Sequence, residues 1–217
     1  MHFSPEKPGE SLILIDGPAG QLELALRDGQ SGRGILVVCH PHPLGGGSMN
    51  NKVVSSLIRE ADERGLSCVR FNFRGVGQSQ GLHDHGQGEQ DDLRTVIAAA
   101  LQRWPAERLL LAGFSFGSYI AASVAAQAQP SWSLQGLLLV APPVHNYPLG
   151  SLSLPSPTWI LQGEADELVD AQEVQAWAST TAAVDHLEMV ESCGHFFHGR
   201  LDRVRAFMGA AIARLLP

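Results

Sequence analysis

The sequence predicts an α/β protein: a mostly parallel sheet with helices on both faces. Apolar runs without alternation, Ile35–His40, Cys68–Phe73, Leu109–Ala112 and Leu137–Ala141, read as strands buried on both sides. Segments with helical apolar spacing lie between them. The residues Gly113-Phe114-Ser115-Phe116-Gly117 then join one such strand to an alanine-rich segment without Gly or Pro, Ser118–Gln129.

Taken in order, Ser11–Asp16 and Gln21–Arg27 alternate around Gly17-Pro18-Ala19-Gly20 and predict an antiparallel hairpin at the sheet edge. After the strand Ile35–His40, the spacing of Val53, Val54, Leu57, Ile58 and Ala61 predicts a helix over Asn51–Arg64. The strand Cys68–Phe73 precedes a helix over Glu89–Trp104, with Leu93, Val96, Ile97, Ala100 and Leu101 on one face. Beyond Ser118–Gln129, Leu137–Ala141 and Trp159–Gln162 read as strands, Ala171–Thr180 as a helix, Leu187–Glu191 as a short strand and Leu201–Leu216 as a closing helix. Only 16 residues, 142–157, separate two of these strands, which leaves no room for a helical cap domain. No composition break divides the chain, so residues 1–217 are expected to form one domain.

Composition narrows the function. With 15 basic residues against 22 acidic ones, the formal charge is -7, which argues against nucleic acid or an anionic membrane as partner. No apolar stretch approaches the ~20 residues a bilayer span requires. Met1–Glu10 lacks the charged-then-apolar pattern of a leader, so a cytoplasmic location is expected. Cys39, Cys68 and Cys193 are too few and scattered for a disulfide framework and read as buried, reduced thiols. The oligomeric state is left open, although the edge hairpin offers a pairing surface.

Strand, G-x-S-x-G, helix is the layout of a nucleophile elbow, a strained turn that projects a serine hydroxyl from a sheet. A Cβ two residues either side of Ser115 would clash where strand and helix nearly touch. A serine hydroxyl needs a base to take its proton, and that base needs an acid to orient it. Downstream, Asp166 follows one strand and His195 another, in the chain order Ser, Asp, His that such sheets use. Glu164 and Asp170 compete with Asp166, the latter better read as a helix N-cap; His198 competes with His195. The Phe116 N–H, at the helix start, points to where an oxyanion would form. The second donor is expected from His40-Pro41-His42-Pro43-Leu44. Proline has no N–H, so His42 is the first choice and Leu44 the second.

Other motifs carry less. Gly45-Gly46-Gly47 lacks Walker spacing, because Lys52 does not follow a glycine. The pairs His40/His42 and His83/His85 have no completing Cys or carboxylate, so no metal site is expected. His40 reads as bonding backbone, and His83 and His85 as lying in a Gly-rich surface loop.

These residues resemble the α/β-hydrolase superfamily, in particular small lidless bacterial serine hydrolases. The resemblance rests on His40-Pro41-His42-Pro43 with Gly45–Gly47, Met49-Asn50-Asn51-Lys52-Val53-Val54, Arg70-Phe71-Asn72-Phe73-Arg74-Gly75-Val76-Gly77-Gln78-Ser79, Gly88-Glu89 with Asp91-Asp92, the elbow, and Gly194-His195-Phe196-Phe197. It implies an eight-stranded sheet whose second strand is antiparallel, and hydrolysis of esters or thioesters without a cofactor. Dienelactone hydrolases are similar in size but carry Cys where Ser115 stands.

Without a cap, the rim must come from Leu44–Met49, Gly75–Gly88 and Pro142–Pro157. Phe114, Phe116, His145, Tyr147 and Phe196 are candidates to line a shallow apolar cleft, although register turns Phe114 away from Ser115 into the core. Leu44, His145 and Phe196 are the expected substrate contacts, and a small acyl compound the expected partner. The alternatives are a non-catalytic ligand-binding homologue and an acyltransferase or perhydrolase on the same triad.

Overall fold

Eight strands form one sheet in the order β1-β2-β4-β3-β5-β6-β7-β8. The computed structural model describes residues 9–105 and 107–217. Residues 1–8, part of the segment read above for a leader, lie outside them. β1 (Glu10–Gly17) and β2 (Gly20–Arg27) make the hairpin at one edge, and β2 runs antiparallel to both β1 and β4 (Ser67–Phe71). All remaining pairs, among β3 (Ile35–Cys39), β4, β5 (Leu109–Phe114), β6 (Leu134–Val140), β7 (Thr158–Gly163) and β8 (Val184–Val190), are parallel. The antiparallel second strand matches what the resemblance implied.

Alternate residues of the central strands feed two apolar layers. Ile35, Val37, Leu109 and Leu111 pack with α2 (Gln87–Arg103), α3 (Phe116–Ala125) and α4 (Ala171–Thr180). Leu36, Val38, Leu110 and Ala112 pack with α1 (Lys52–Glu63) and α5 (Leu201–Leu215). Each central strand is thus buried on both faces, which is why it reads as a continuous apolar run. Between β6 and β7 the only helical piece is the 3-10 turn Leu149–Ser151, so no cap covers the sheet there.

The strand order reverses direction at β3. The chain leaves β3 toward β4 on one side, while β5 pairs on the other. The loops after β3 and β5 therefore diverge and leave a crevice at the carboxyl ends of these strands, where open α/β sheets place their ligands.

The motif residues around this crevice prove to be scaffold. Arg70 reaches the Glu10 carboxylate at 2.8 Å and the Met49 carbonyl at 2.9 Å. Asn72 accepts from the Met49 N–H at 2.9 Å and donates to Glu23 at 2.6 Å. Arg74 lies across Gly88, where a Cβ would overlap its guanidinium, and pairs with the wholly buried Asp92 at 2.7 Å. Glu89, also wholly buried, accepts from the N–H groups of Asp84 and Gly86 and so caps α2.

Candidate active site

Ser115 occupies φ 54°, ψ −121°, a conformation a non-glycine residue holds only when its surroundings impose it. Two contacts impose it here. A Cβ on Gly113 would land on the Gly117 carbonyl, and one on Gly117 would land on the carbonyls of Cys39 and His40. The glycines let β5, α3 and β3 approach this closely, and the Ser115 N–H is anchored to the Val140 carbonyl of β6 at 2.8 Å. Buried Ser118 ties the turn from below, its hydroxyl 2.7 Å from the Gly113 carbonyl.

The three residues expected to converge do so. His195 Nε2 lies 3.0 Å from Ser115 Oγ, and His195 Nδ1 lies 2.9 Å from Asp166 Oδ2. The carboxylate only accepts, so Nδ1 carries the proton and Nε2 is left to accept from the hydroxyl. Burial alone would raise the Asp166 carboxyl. The His195 hydrogen bond and charge, with the N–H groups of Leu168 and Val169, outweigh it and hold the group below the usual carboxylate range. The His195 loop is fixed in turn: its N–H donates to Glu167 at 3.1 Å, and Phe114 packs beneath the imidazole with ring centroids 5.1 Å apart. Gly163 permits the approach of this loop to β7, since a Cβ there would meet the Cys193 carbonyl.

The competitors fall elsewhere. Asp170 caps α4, accepting from the Gln172 N–H at 2.8 Å. Glu164 and His198 are exposed. On the oxyanion side, the Phe116 N–H opens α3 and has no intrahelical acceptor. No described residue accepts from the His42 N–H. The Leu44 N–H instead donates to His42 Nδ1 at 3.2 Å.

His40 is wholly buried and spans two loops: Nδ1 donates to the Pro41 carbonyl at 2.6 Å, and Nε2 accepts from the Phe73 N–H at 3.1 Å. Burial lowers its pKa to about 4, so the ring is neutral at pH 7. His40 thus bonds backbone, as read, and holds the loop that carries His42.

Two expectations need correction. The Phe116 ring does not line the cleft. It is 1% exposed and packs among Phe73, His42, His83 and Tyr147, because the residue after the elbow serine turns into the sheet–helix core. His83 is not a surface residue either: its side chain is 7% exposed, with Nδ1 2.8 Å from Glu89. Its ring packs against those of His42, His85 and Phe116. Both shifts bring His83 beside His42, whose imidazole is depressed first by burial and then by His83.

The candidate substrate contacts are spread around the rim. Leu44 is 74% and Phe196 40% exposed, the latter edge-on to His195. His145 is exposed, 3.6 Å from Glu173, in a cleft of about 570 Å³ that also holds Asp166, Glu164, Glu167 and Asp170. Tyr147 stacks on Tyr119 at 4.4 Å. Glu167 touches His195 and Gln162 touches Asp166, and the sequence reading singles out neither. The second carried a signal, a polar residue ending an apolar strand. Among the described residues no group of three metal-ligating side chains assembles, and no helix is long and apolar enough to cross a membrane.

A sheet of this order, with an elbow serine at its switch point and no cap between β6 and β7, defines a lidless α/β hydrolase. Comparison with known proteins narrows the class. The sequence profile of the family described as serine aminopeptidase, S33, matches residues 30–153, and the chain belongs to this family of α/β serine hydrolases. It is similar to an α/β serine hydrolase without lid from Xanthomonas campestris, at 38% identity and TM-score 0.89 over 99% of each chain. It is likewise similar to an α/β serine hydrolase homologue from Coxiella burnetii, at 39% identity and TM-score 0.85 over 96% of this chain and 99% of that one. An uncharacterized protein of Rickettsia prowazekii is 34% identical over 202 residues, 88% of this chain and 83% of that protein.

Proposed function

We propose that this protein hydrolyses a carboxylic ester or thioester of a small acyl substrate through a Ser115-His195-Asp166 triad. The observation that carries the reading is the continuous path from Ser115 Oγ to His195 Nε2 at 3.0 Å and from Nδ1 to Asp166 at 2.9 Å. Ser115 Oγ attacks the acyl carbonyl while His195 takes its proton and Asp166 stabilises the imidazolium. The N–H groups of Phe116 and His42 receive the oxyanion. His195 then protonates the leaving group, and a water deprotonated by the same imidazole releases the acyl group from Ser115. These steps require no cofactor. Leu44 and Phe196 offer apolar surface to the substrate at an open rim. Action in the cytoplasm accords with three buried, unpaired cysteines.

One observation favours a second reading, cleavage of an amide with a free amino end: the acidic cleft beside Asp166, lined by Glu164, Glu167, Asp170 and Glu173. Short p-nitrophenyl esters, acyl thioesters and amino-acid p-nitroanilides assayed side by side separate the two. Ester or thioester turnover should exceed anilide turnover, and Ser115→Ala should lower it by ~10⁴-fold or more. Hydrolysis surviving that substitution would rule the triad out, whereas a parent that neither hydrolyses these compounds nor labels with a fluorophosphonate at Ser115 would leave the binding-homologue alternative.

A further inference from the structure

Gln162 ends the apolar run of β7, after Trp159, Ile160 and Leu161, and is 0% exposed. Its Nε2 lies 3.0 Å from Asp166 Oδ2, 3.1 Å from the Gly163 carbonyl and 3.4 Å from the Val169 carbonyl. All three neighbours are acceptors, which decides the orientation of the amide. Flipped, its oxygen would face a carboxylate and two carbonyls. In the orientation that remains, Oε1 has no partner among the described residues. A buried amide oxygen without a donor weakens a fold, and an apolar side chain would fill the same space without that penalty. Packing and loop closure are therefore poor reasons for a glutamine here. What the amide supplies is its N–H groups.

Those groups complete the surroundings of one carboxylate. Asp166 Oδ1 accepts from the backbone of Leu168 and Val169 at 2.9 and 2.8 Å and lies 3.1 Å from His195 Nδ1, slightly farther than Oδ2. Oδ2, the oxygen nearest His195, is shared between His195 Nδ1 at 2.9 Å and Gln162 Nε2 at 3.0 Å. The backbone pair holds one oxygen, and the plane of the carboxyl is then set by what holds the other. His195 is a poor anchor for that purpose, since it must change protonation and recoil during turnover. Gln162 is neutral, buried and part of the sheet.

We propose that Gln162 is a positioning residue that locks the Asp166 carboxylate in the plane that presents Oδ2 to His195. The inference rests on the triad reading given under Proposed function. Gln162→Met keeps length and volume but removes the N–H groups. It is measured for kcat and KM on a p-nitrophenyl ester beside the parent, Asp166→Ala and the double variant. Gln162→Met should lower kcat by ~10-fold with KM nearly unchanged. On the Asp166→Ala background it should cost nothing further, because no carboxylate is left to orient. An equal loss on both backgrounds, or unchanged kcat in the single variant, would overturn the proposal while leaving the triad standing. An unimpaired Asp166→Ala would instead overturn the triad reading and this proposal with it.

If Gln162→Met does not fold, Gln162→Glu serves. Protonated, its carboxyl donates to Asp166; ionised, it repels it. Its activity relative to the parent should fall as pH rises. A ratio independent of pH would refute the positioning role.

Discussion

Acid should destabilise this protein through His40 specifically. The ring is wholly buried, and both nitrogens are committed, Nδ1 to the Pro41 carbonyl and Nε2 to the Phe73 N–H. Protonating Nε2 would set a donor against a donor. Burial accordingly drives the pKa from 6.5 to about 4, reinforced by His42 and opposed by the Pro41 bond. The unfolded chain therefore binds this proton more readily than the folded one, so the contribution is intact above pH 6.5 and drains as pH falls toward 4. At about pH 5 the unfolded imidazole is nearly all charged and the folded one nearly all neutral, which costs about 2 kcal/mol relative to about pH 7. For a chain of this size that corresponds to about 4–8 °C in Tm. Thermal melts of the parent and of His40→Gln at both pH values isolate the effect, since every other titrating group is common to both. The parent should lose about 2 kcal/mol more than the variant between those pH values. Equal acid sensitivity would refute the reasoning, because it would mean His40 is hydrated and free to charge.

The oxyanion assignment can be tested by subtraction, because His42 sits at φ −53°, a value proline adopts. His42→Ala keeps the N–H and should leave kcat within a few-fold, whereas His42→Pro removes it and should cut kcat by ~10²–10³ in ester turnover assays. Ser115→Gly should abolish hydrolysis and yet raise stability by about 1 kcal/mol in chemical denaturation, because glycine relieves φ 54° at the elbow. Asp92→Ala leaves the Arg74 guanidinium, whose side chain is 10% exposed, without its partner. It should destabilise by about 3–5 kcal/mol in the same denaturation experiment. Gly117→Ala should fail to fold or lose its elbow geometry, as read by circular dichroism and fluorophosphonate labelling, since its Cβ meets the Cys39 and His40 carbonyls.

Much of the site was legible because its determinants are local. A G-x-S-x-G turn between strand and helix needs its glycines for steric reasons that five residues display. Asp166 and His195 each stand just past a strand, so placing them at one sheet end required only that β5, β7 and β8 be parallel. Asp170 could be set aside as a cap from its place before α4 alone. The rest depended on partners that periodicity does not reveal. The Leu44 N–H meets an acceptor two residues away, His42 Nδ1, which depends on the fold of one short turn. His83 went inside because its ring packs against His42 and Phe116 from other loops, and Phe116 because α3 crosses β3 closely at Gly117.

From the order of its residues alone, this chain declared a layered α/β architecture and a serine set in a strained turn, since backbone sterics and side-chain periodicity act between near neighbours. Tertiary structure alone decided which scaffold polar groups meet: Asn72 with Glu23 across 49 positions, and Arg70 with Glu10 across 60. The physical reason is that a hydrogen bond is specified by ångström-scale direction and distance. Those are set only when the strands take their places in the sheet.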